Sequence, residues 1–103
     1  MIKISLFCCG GMSTSILANR MKKAASEKGI QAEIAAFSEA QLSNQLENLD
    51  AALIGPQISF MLPKLKKLCD EKNVPIAVIP SLDYGMMDGK KVLDLALKLA
   101  YNK

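Results

Sequence analysis

Apolar residues in this chain come in short runs separated by polar turns, and their spacing switches between two periods. Residues 2–7 alternate loosely and stop before a glycine pair, the pattern of a first strand. From residue 13 to 28 the period lengthens. Leu17, Met21, Ala24 and Ala25 recur at helical spacing with Ile16 flanking, while Arg20, Lys22, Lys23 and Glu27 fall mostly off that stripe. Gly29 is the expected helix stop. Ile34 and Phe37 mark a second strand over residues 31–37. Residues 38–48 are polar, with Ala40, Leu42 and Leu46 spaced for a short helix. Residues 49–54 are almost continuously apolar, as a central parallel strand covered on both faces should be.

Gly55-Pro56 breaks that third strand. Ile58, Met61, Leu62, Leu65, Leu68 and Cys69 then outline the buried face of a helix. Pro63 is tolerable only in a first turn, so the helix is expected to begin nearer Met61 than Gln57. Residues 74–79 read as a fourth strand, and residues 80–87, with Ser81, Asp83, Tyr84 and Gly85, as a loop. Asp88 has the character of an N-cap. Val92, Leu93, Ala96, Leu99 and Ala100 form the stripe of a last helix, and residues 101–103 a frayed end. The order β-α-β-(α)-β-α-β-α predicts an α/β fold, a parallel sheet joined by right-handed crossovers with helices on both faces. Ligands of such sheets bind beyond the carboxyl ends of the strands, where the strand order reverses. With strand order 2-1-3-4, that point falls at Cys8. No internal repeat, low-complexity tract or linker divides the chain, so one domain over residues 1–103 is expected.

Composition narrows the functional classes. Half of the 103 residues are apolar and 22% are charged, with a net charge of +3 and a single arginine, Arg20. That balance, without basic runs interleaved with aromatics, argues against a nucleic-acid partner. No apolar run reaches the roughly 18 residues of a membrane span, and the N-terminal run is too short for a signal peptide; the cytoplasm is the expected compartment. The chain has no histidine and three cysteines, Cys8, Cys9 and Cys69. Two adjacent thiols and an odd count make no disulfide framework, and no metal site is expected from them.

The chemistry concentrates in Cys8, Cys9, Gly10, Gly11, Met12, Ser13, Thr14 and Ser15. A thiol at the end of a strand, a glycine turn and a helix start together form an anion cradle of backbone N–H groups and a helix dipole. The same features favour the thiolate over the thiol, whose ordinary pKa is about 8.5. Ser13, Thr14 and Ser15 add hydroxyl donors, one of them expected to cap the helix. A phosphoryl group on sulfur would be held there without a metal, and a thiolate leaves more easily than an alkoxide. Cys69, on an apolar helix face, reads as a core residue. Cys9 points away from Cys8 on an extended chain and serves packing or function equally well. Met12 is a core plug or an exposed contact, Tyr84 surface packing or a partner contact. Lys64, Lys66, Lys67 and Lys72 form a solvated helix face or a patch for an acidic partner.

Three phosphate or redox motifs can be tested against the residues, and the residues argue against each. The lysine of a nucleotide P-loop does not follow Gly11. A C-x-x-C redox pair is absent. A small cysteine phosphatase or arsenate-reductase-like enzyme shares the layout but carries an arginine six positions after its cysteine, where this chain has Thr14.

Phe7-Cys8-Cys9-Gly10-Gly11-Met12-Ser13-Thr14-Ser15 resembles the active-site loop of the lactose/cellobiose-type enzyme IIB components of the bacterial phosphoenolpyruvate–sugar phosphotransferase system. Leu53-Ile54-Gly55-Pro56-Gln57-Ile58, Met61-Leu62-Pro63, Tyr84-Gly85 and Asp88-Gly89 resemble the family at matching distances, so the similarity covers almost the whole chain. It implies a flavodoxin-like four-stranded sheet and a transferase without cofactor. Cys8 would take a phosphoryl group from a phosphohistidine on enzyme IIA. It would pass it to a β-glucoside or disaccharide, cellobiose- or chitobiose-like, during transport through the membrane enzyme IIC. Residues 9–15 would bind the phosphate. Both partners need the same sulfur, so transient interfaces are expected, at the inner face of the membrane through enzyme IIC. Cys9 stands where the family more often has a small polar residue, and Asp83 where it more often has an apolar one. Two alternatives stand beside this reading: a small cysteine phosphatase or arsenate-reductase-like enzyme, against which the missing arginine argues, and a regulatory IIB-like domain that senses phosphorylation, against which the chain length, with no appended segment, weighs.

Overall fold

The structure, a computed structural model, describes residues 1–9 and 12–102, with Met12 described by its backbone alone. The elements are β1 (Ile2–Cys8), α1 (Met12–Glu27), β2 (Ala32–Ser38), a 3₁₀ turn (Glu39–Asn44), β3 (Ala51–Ile54), a second 3₁₀ turn (Pro56–Met61), α2 (Leu62–Glu71), β4 (Ile76–Val78), α3 (Ser81–Gly85) and α4 (Gly89–Tyr101). The four strands form one parallel sheet in the order β2-β1-β3-β4, as expected from the sequence.

The strand pleat sorts side chains onto two faces. Ile4 and Leu6 of β1 and Ala51 and Leu53 of β3 join Leu17 and Met21 of α1 and Val92, Leu93 and Ala96 of α4 in one cluster. Phe7 of β1 and Ala52 and Ile54 of β3 join Leu42, Ile58, Leu65 and Cys69 in the other. This two-sided covering is why residues 51–54 are apolar without a break, and all four are buried.

Local signals act where the sequence places them. Gly29 takes φ +70. Its N–H donates to Ser26 O at 3.1 Å and Ile30 N–H donates to Ala25 O at 2.9 Å, closing α1 with the paired bonds of a Schellman motif. Ser38 and Gln41 form a reciprocal capping box at the first 3₁₀ turn. Pro63 lies in the first turn of α2, where its missing N–H costs nothing. Asp88 accepts from Lys91 N–H at 3.1 Å and caps α4.

The structure departs from the sequence reading at element edges. β1 runs one residue further and includes Cys8, paired with Ser38 of β2. α1 begins at Met12, so Ser13, Thr14 and Ser15 occupy its first turn instead of its cap. β3 and β4 are shorter than their apolar runs, although Ile79 N–H still donates to Ile54 O at 2.9 Å beyond the last paired residues. Residues 80–87 are not all loop, because α3 occupies Ser81–Gly85. Tyr101 ends α4 and is not frayed.

Candidate active site

Three connections converge on the carboxyl end of β1. Cys8 is the last residue of that strand, and it is 3% exposed. From the end of β3, Gly55 approaches its sulfur closely. A Cβ built on Gly55 would lie 3.2 Å from Cys8 Sγ and 2.6 Å from Gln57 Oε1. A methyl at position 55 would displace the flexible end of Gln57 and crowd the less mobile Cys8 sulfur by a few tenths of an ångström. The strand-breaking pair Gly55-Pro56 therefore also makes room for the thiol. From beyond β4, α3 brings Tyr84 over the sheet edge.

The sulfur has polar neighbours from both of these connections. Cys8 Sγ donates to Gln57 Oε1 at 3.9 Å. It lies 3.9 Å from the Tyr84 hydroxyl, which in turn lies 3.2 Å from Thr14 Oγ1 in the first turn of α1. Thr14 and Tyr84 are both buried. Each hydroxyl thus has its partner inside the protein, as buried polar groups require.

Among the residues singled out by sequence, the structure brings Cys8 and Thr14 into one network. Ser13 and Ser15 are exposed beside it. Cys9 is exposed, yet its thiol still meets Cys8. Its ionisation is pushed up, first by the negative charge on Cys8, then by the hydrogen bond between the two thiols. Gly10, Gly11 and the side chain of Met12 lie outside the described residues. Tyr84 and Gln57 joined the site without being singled out for it. Nothing in the local pattern of either marks the sulfur as its neighbour, since the contacts span 76 and 49 positions.

The other buried thiol has a different environment. Cys69 is fully buried in the cluster under α2, and burial pushes its pKa up to about 11. It has the core role expected of it. Arg20 does not supply the guanidinium of a cysteine phosphatase at Cys8; its Nη1 donates to Met87 O at 3.4 Å, along a groove of about 600 Å³ that Cys8 does not line. No helix among the described residues is long and apolar enough to cross a membrane.

A buried thiol at the switch point of a 2-1-3-4 parallel sheet, beside the first turn of a helix, defines a class of small doubly wound domains with a cysteine at the strand end. Within that class, residues 3–95 match the family model described as the lactose/cellobiose-specific IIB subunit of the PTS system. The chain is 44% identical over 103 residues to the oligo-beta-mannoside-specific EIIB component of Bacillus subtilis (strain 168), covering all of both chains. It is 45% identical over 101 residues to the galactose-specific EIIB component of Lactococcus lactis subsp. cremoris (strain MG1363), covering 93% of this chain and 94% of that one. The solution structure of a cellobiose-specific phosphotransferase IIB component from Borrelia burgdorferi superposes with a TM-score of 0.83 at 41% identity, over 99% of this chain and 94% of that one. A lactose-specific EIICB component of Lacticaseibacillus casei matches 81% of this chain at 26% identity within 14% of its own length. The chain belongs to the lactose/cellobiose-specific IIB family of the phosphotransferase system. Such components act as sugar phosphotransferases within a multiprotein transport system.

Proposed function

We propose that Cys8 is the phosphoryl carrier of this component. It accepts the group from a phosphohistidine on enzyme IIA and yields it to a sugar bound by enzyme IIC. One observation carries the reading: the Cys8 sulfur sits at the switch point of the sheet, 3.9 Å from the Tyr84 hydroxyl of α3, which itself meets the Thr14 hydroxyl of α1. That arrangement suits a sulfur that alternates between thiolate and phosphothioester, because hydrogen-bond donors stabilise charge on it.

Cys9, Gly10, Gly11, Met12, Ser13, Thr14 and Ser15 are the proposed phosphate-binding residues, through backbone N–H groups and hydroxyls at the start of α1. The described part of this segment supports the reading, since Thr14 is already engaged next to the sulfur. Six positions after Cys8 this chain presents a hydroxyl and no guanidinium, which favours a carrier over a phosphatase.

Leu82 on α3, Met86 just after it, Ile16 on α1 and Phe60 on the same turn as Gln57 are exposed apolar residues on or next to the elements that carry the site. They suit interfaces that form and separate as phosphate moves. The relatives are named for β-mannosides, galactose and lactose. The proposed acceptor is a β-glucoside or disaccharide, cellobiose- or chitobiose-like. The proposed place of action is the cytoplasmic face of the membrane, as one domain over residues 1–103.

The test is an intact mass of the wild type and of Cys8→Ser. Each is incubated with phosphoenolpyruvate, the general phosphotransferase proteins and a IIA subunit. One added phosphate on the wild type, absent from Cys8→Ser and labile as a thiophosphate, is expected. An unmodified wild type beside a charged IIA would falsify the carrier role.

A further inference from the structure

Cys8 Sγ donates to Gln57 Oε1, an oxygen that accepts and cannot donate. With the thiol proton on Gln57, the contact between Cys8 Sγ and the Tyr84 hydroxyl uses the Tyr84 proton. With that proton spoken for, the 3.2 Å contact between Tyr84 and Thr14 uses the Thr14 proton. The chain runs Thr14 to Tyr84 to Cys8 to Gln57, each link polarising the next. When the thiol ionises, the last link is lost, because two acceptors then face each other. The first two links strengthen, because an anionic sulfur is the better acceptor.

We propose that Tyr84 is a positioning residue for phosphoryl transfer, donating its phenolic proton to the Cys8 thiolate with Thr14 behind it, while Gln57 holds the neutral thiol. This rests on Cys8 being the phosphoryl carrier. In the accepting step a thiolate lone pair forms the S–P bond as the N–P bond of phosphohistidine breaks, its electrons remaining on the imidazole nitrogen. In the releasing step the S–P bond breaks and its electrons return to sulfur. The sugar oxygen forms the new O–P bond, and its proton leaves to a base at the acceptor's site. Charge therefore rests on sulfur before the first step and after the second, and one donor serves both.

A neutral donor fits that double duty. A cation in the same place would hold the thiolate so firmly that its nucleophilicity fell. Tyr84 is also held in place by its ring, which packs in the cluster between the sheet and helices α1 and α4. The other titratable groups around the sulfur are Cys9 on the same strand end and, acting on Cys9, Glu39 from the turn after β2.

The test is the pH dependence of Cys8 alkylation by iodoacetamide, with every protein carrying Cys9→Ser so that the neighbouring thiol is silent. Tyr84→Phe keeps the ring and is expected to move the midpoint up by about one pH unit, the worth of one hydrogen bond to a charged group. Thr14→Val should move it up by less, because Tyr84 keeps its proton. Gln57→Leu should move it down, because the neutral thiol loses its acceptor. Single-turnover transfer from phosphorylated IIA to Tyr84→Phe is expected to slow roughly tenfold at neutral pH and to recover at higher pH, where the thiolate is full. Damage to the fold would not recover with pH. A Tyr84→Phe midpoint equal to the parent's overturns the proposal, and Gln57→Leu moving upward overturns the direction of the chain. The alkylation readout needs no phosphoryl donor, so its failure and a failure of the carrier reading are separate results.

Discussion

The two buried thiols, Cys8 at the carboxyl end of an interior strand and Cys69 under α2, differ in partners far more than in exposure. Cys8 is 3% exposed and Cys69 is 0% exposed. Around Cys8 stand an amide oxygen and a phenolic hydroxyl backed by a second hydroxyl. Around Cys69 stand the apolar side chains of one core cluster, and its thiol is pushed up to about 11 by the loss of water. Burial alone disfavours a thiolate. On the proposed reading, the Tyr84 hydroxyl backed by Thr14 gives the Cys8 thiolate a partner that the apolar surroundings of Cys69 do not offer, and the contrast belongs to the surroundings supplied by α1 and α3, not to the residue type.

The largest expected effect on this contrast is Cys8→Ser against Cys69→Ala. The first should abolish phosphoryl acceptance in the intact-mass assay with little change in thermal midpoint. The second should leave acceptance intact and lower stability by about 1–2 kcal/mol, the cost of a small cavity, read by denaturant unfolding. Gly55→Ala comes next. Its methyl would displace the end of Gln57 and crowd the sulfur by a few tenths of an ångström, so the transfer rate should fall roughly tenfold, short of the roughly hundredfold that displacing a reacting atom by about an ångström costs. A Gly55→Ala protein as fast as wild type would show that the close approach has no functional weight.

A smaller effect lies in pH. In the folded state burial pushes the Cys69 thiol up to about 11, above its ordinary value of about 8.5. Below the lower value both states carry the neutral thiol, and the group contributes no pH dependence. As pH rises from there towards the higher value, the unfolded chain loses a proton that the folded one keeps, so stability should decline across that window. Cys69→Ala should remove this part of the decline, measured as the difference between the two denaturation profiles. Last, Phe60→Ser is expected to alter stability by no more than about 0.5 kcal/mol, as for an exposed position. It should still slow transfer from IIA, measured by single turnover; an unchanged rate would place the interface elsewhere.

The sequence made the frame legible because local signals and burial pattern agree at most positions. Gly29, Pro63 and Asp88 act where their chemistry puts them, and the unbroken apolar run before Gly55 announced a strand covered on both sides. Cys8 was visible because strand, thiol, glycine turn and helix start are adjacent in the chain. Tyr84 and Gln57 were not visible as partners of the sulfur, because their roles depend on where β3 and β4 end in space. Helix α3 was missed for a related reason. Five residues carry too little periodicity to be told from a loop, and the burial of Tyr84 is what organises them. The hydroxyl cap expected from residues 13–15 gave way to a helix that starts earlier, turning Thr14 inward.

The 76 positions between Cys8 and Tyr84 also set a clock. During synthesis the strand, the thiol and α1 leave the ribosome first, and the hydroxyl that completes the thiol's surroundings arrives only with the last quarter of the chain. Contacts of such separation form late, because the intervening chain must first be ordered. A nascent or truncated copy would therefore expose its thiol before it had the donors to govern it. On the proposed reading, a copy whose Tyr84 has not yet docked would take up phosphate on Cys8 more slowly than a completed one.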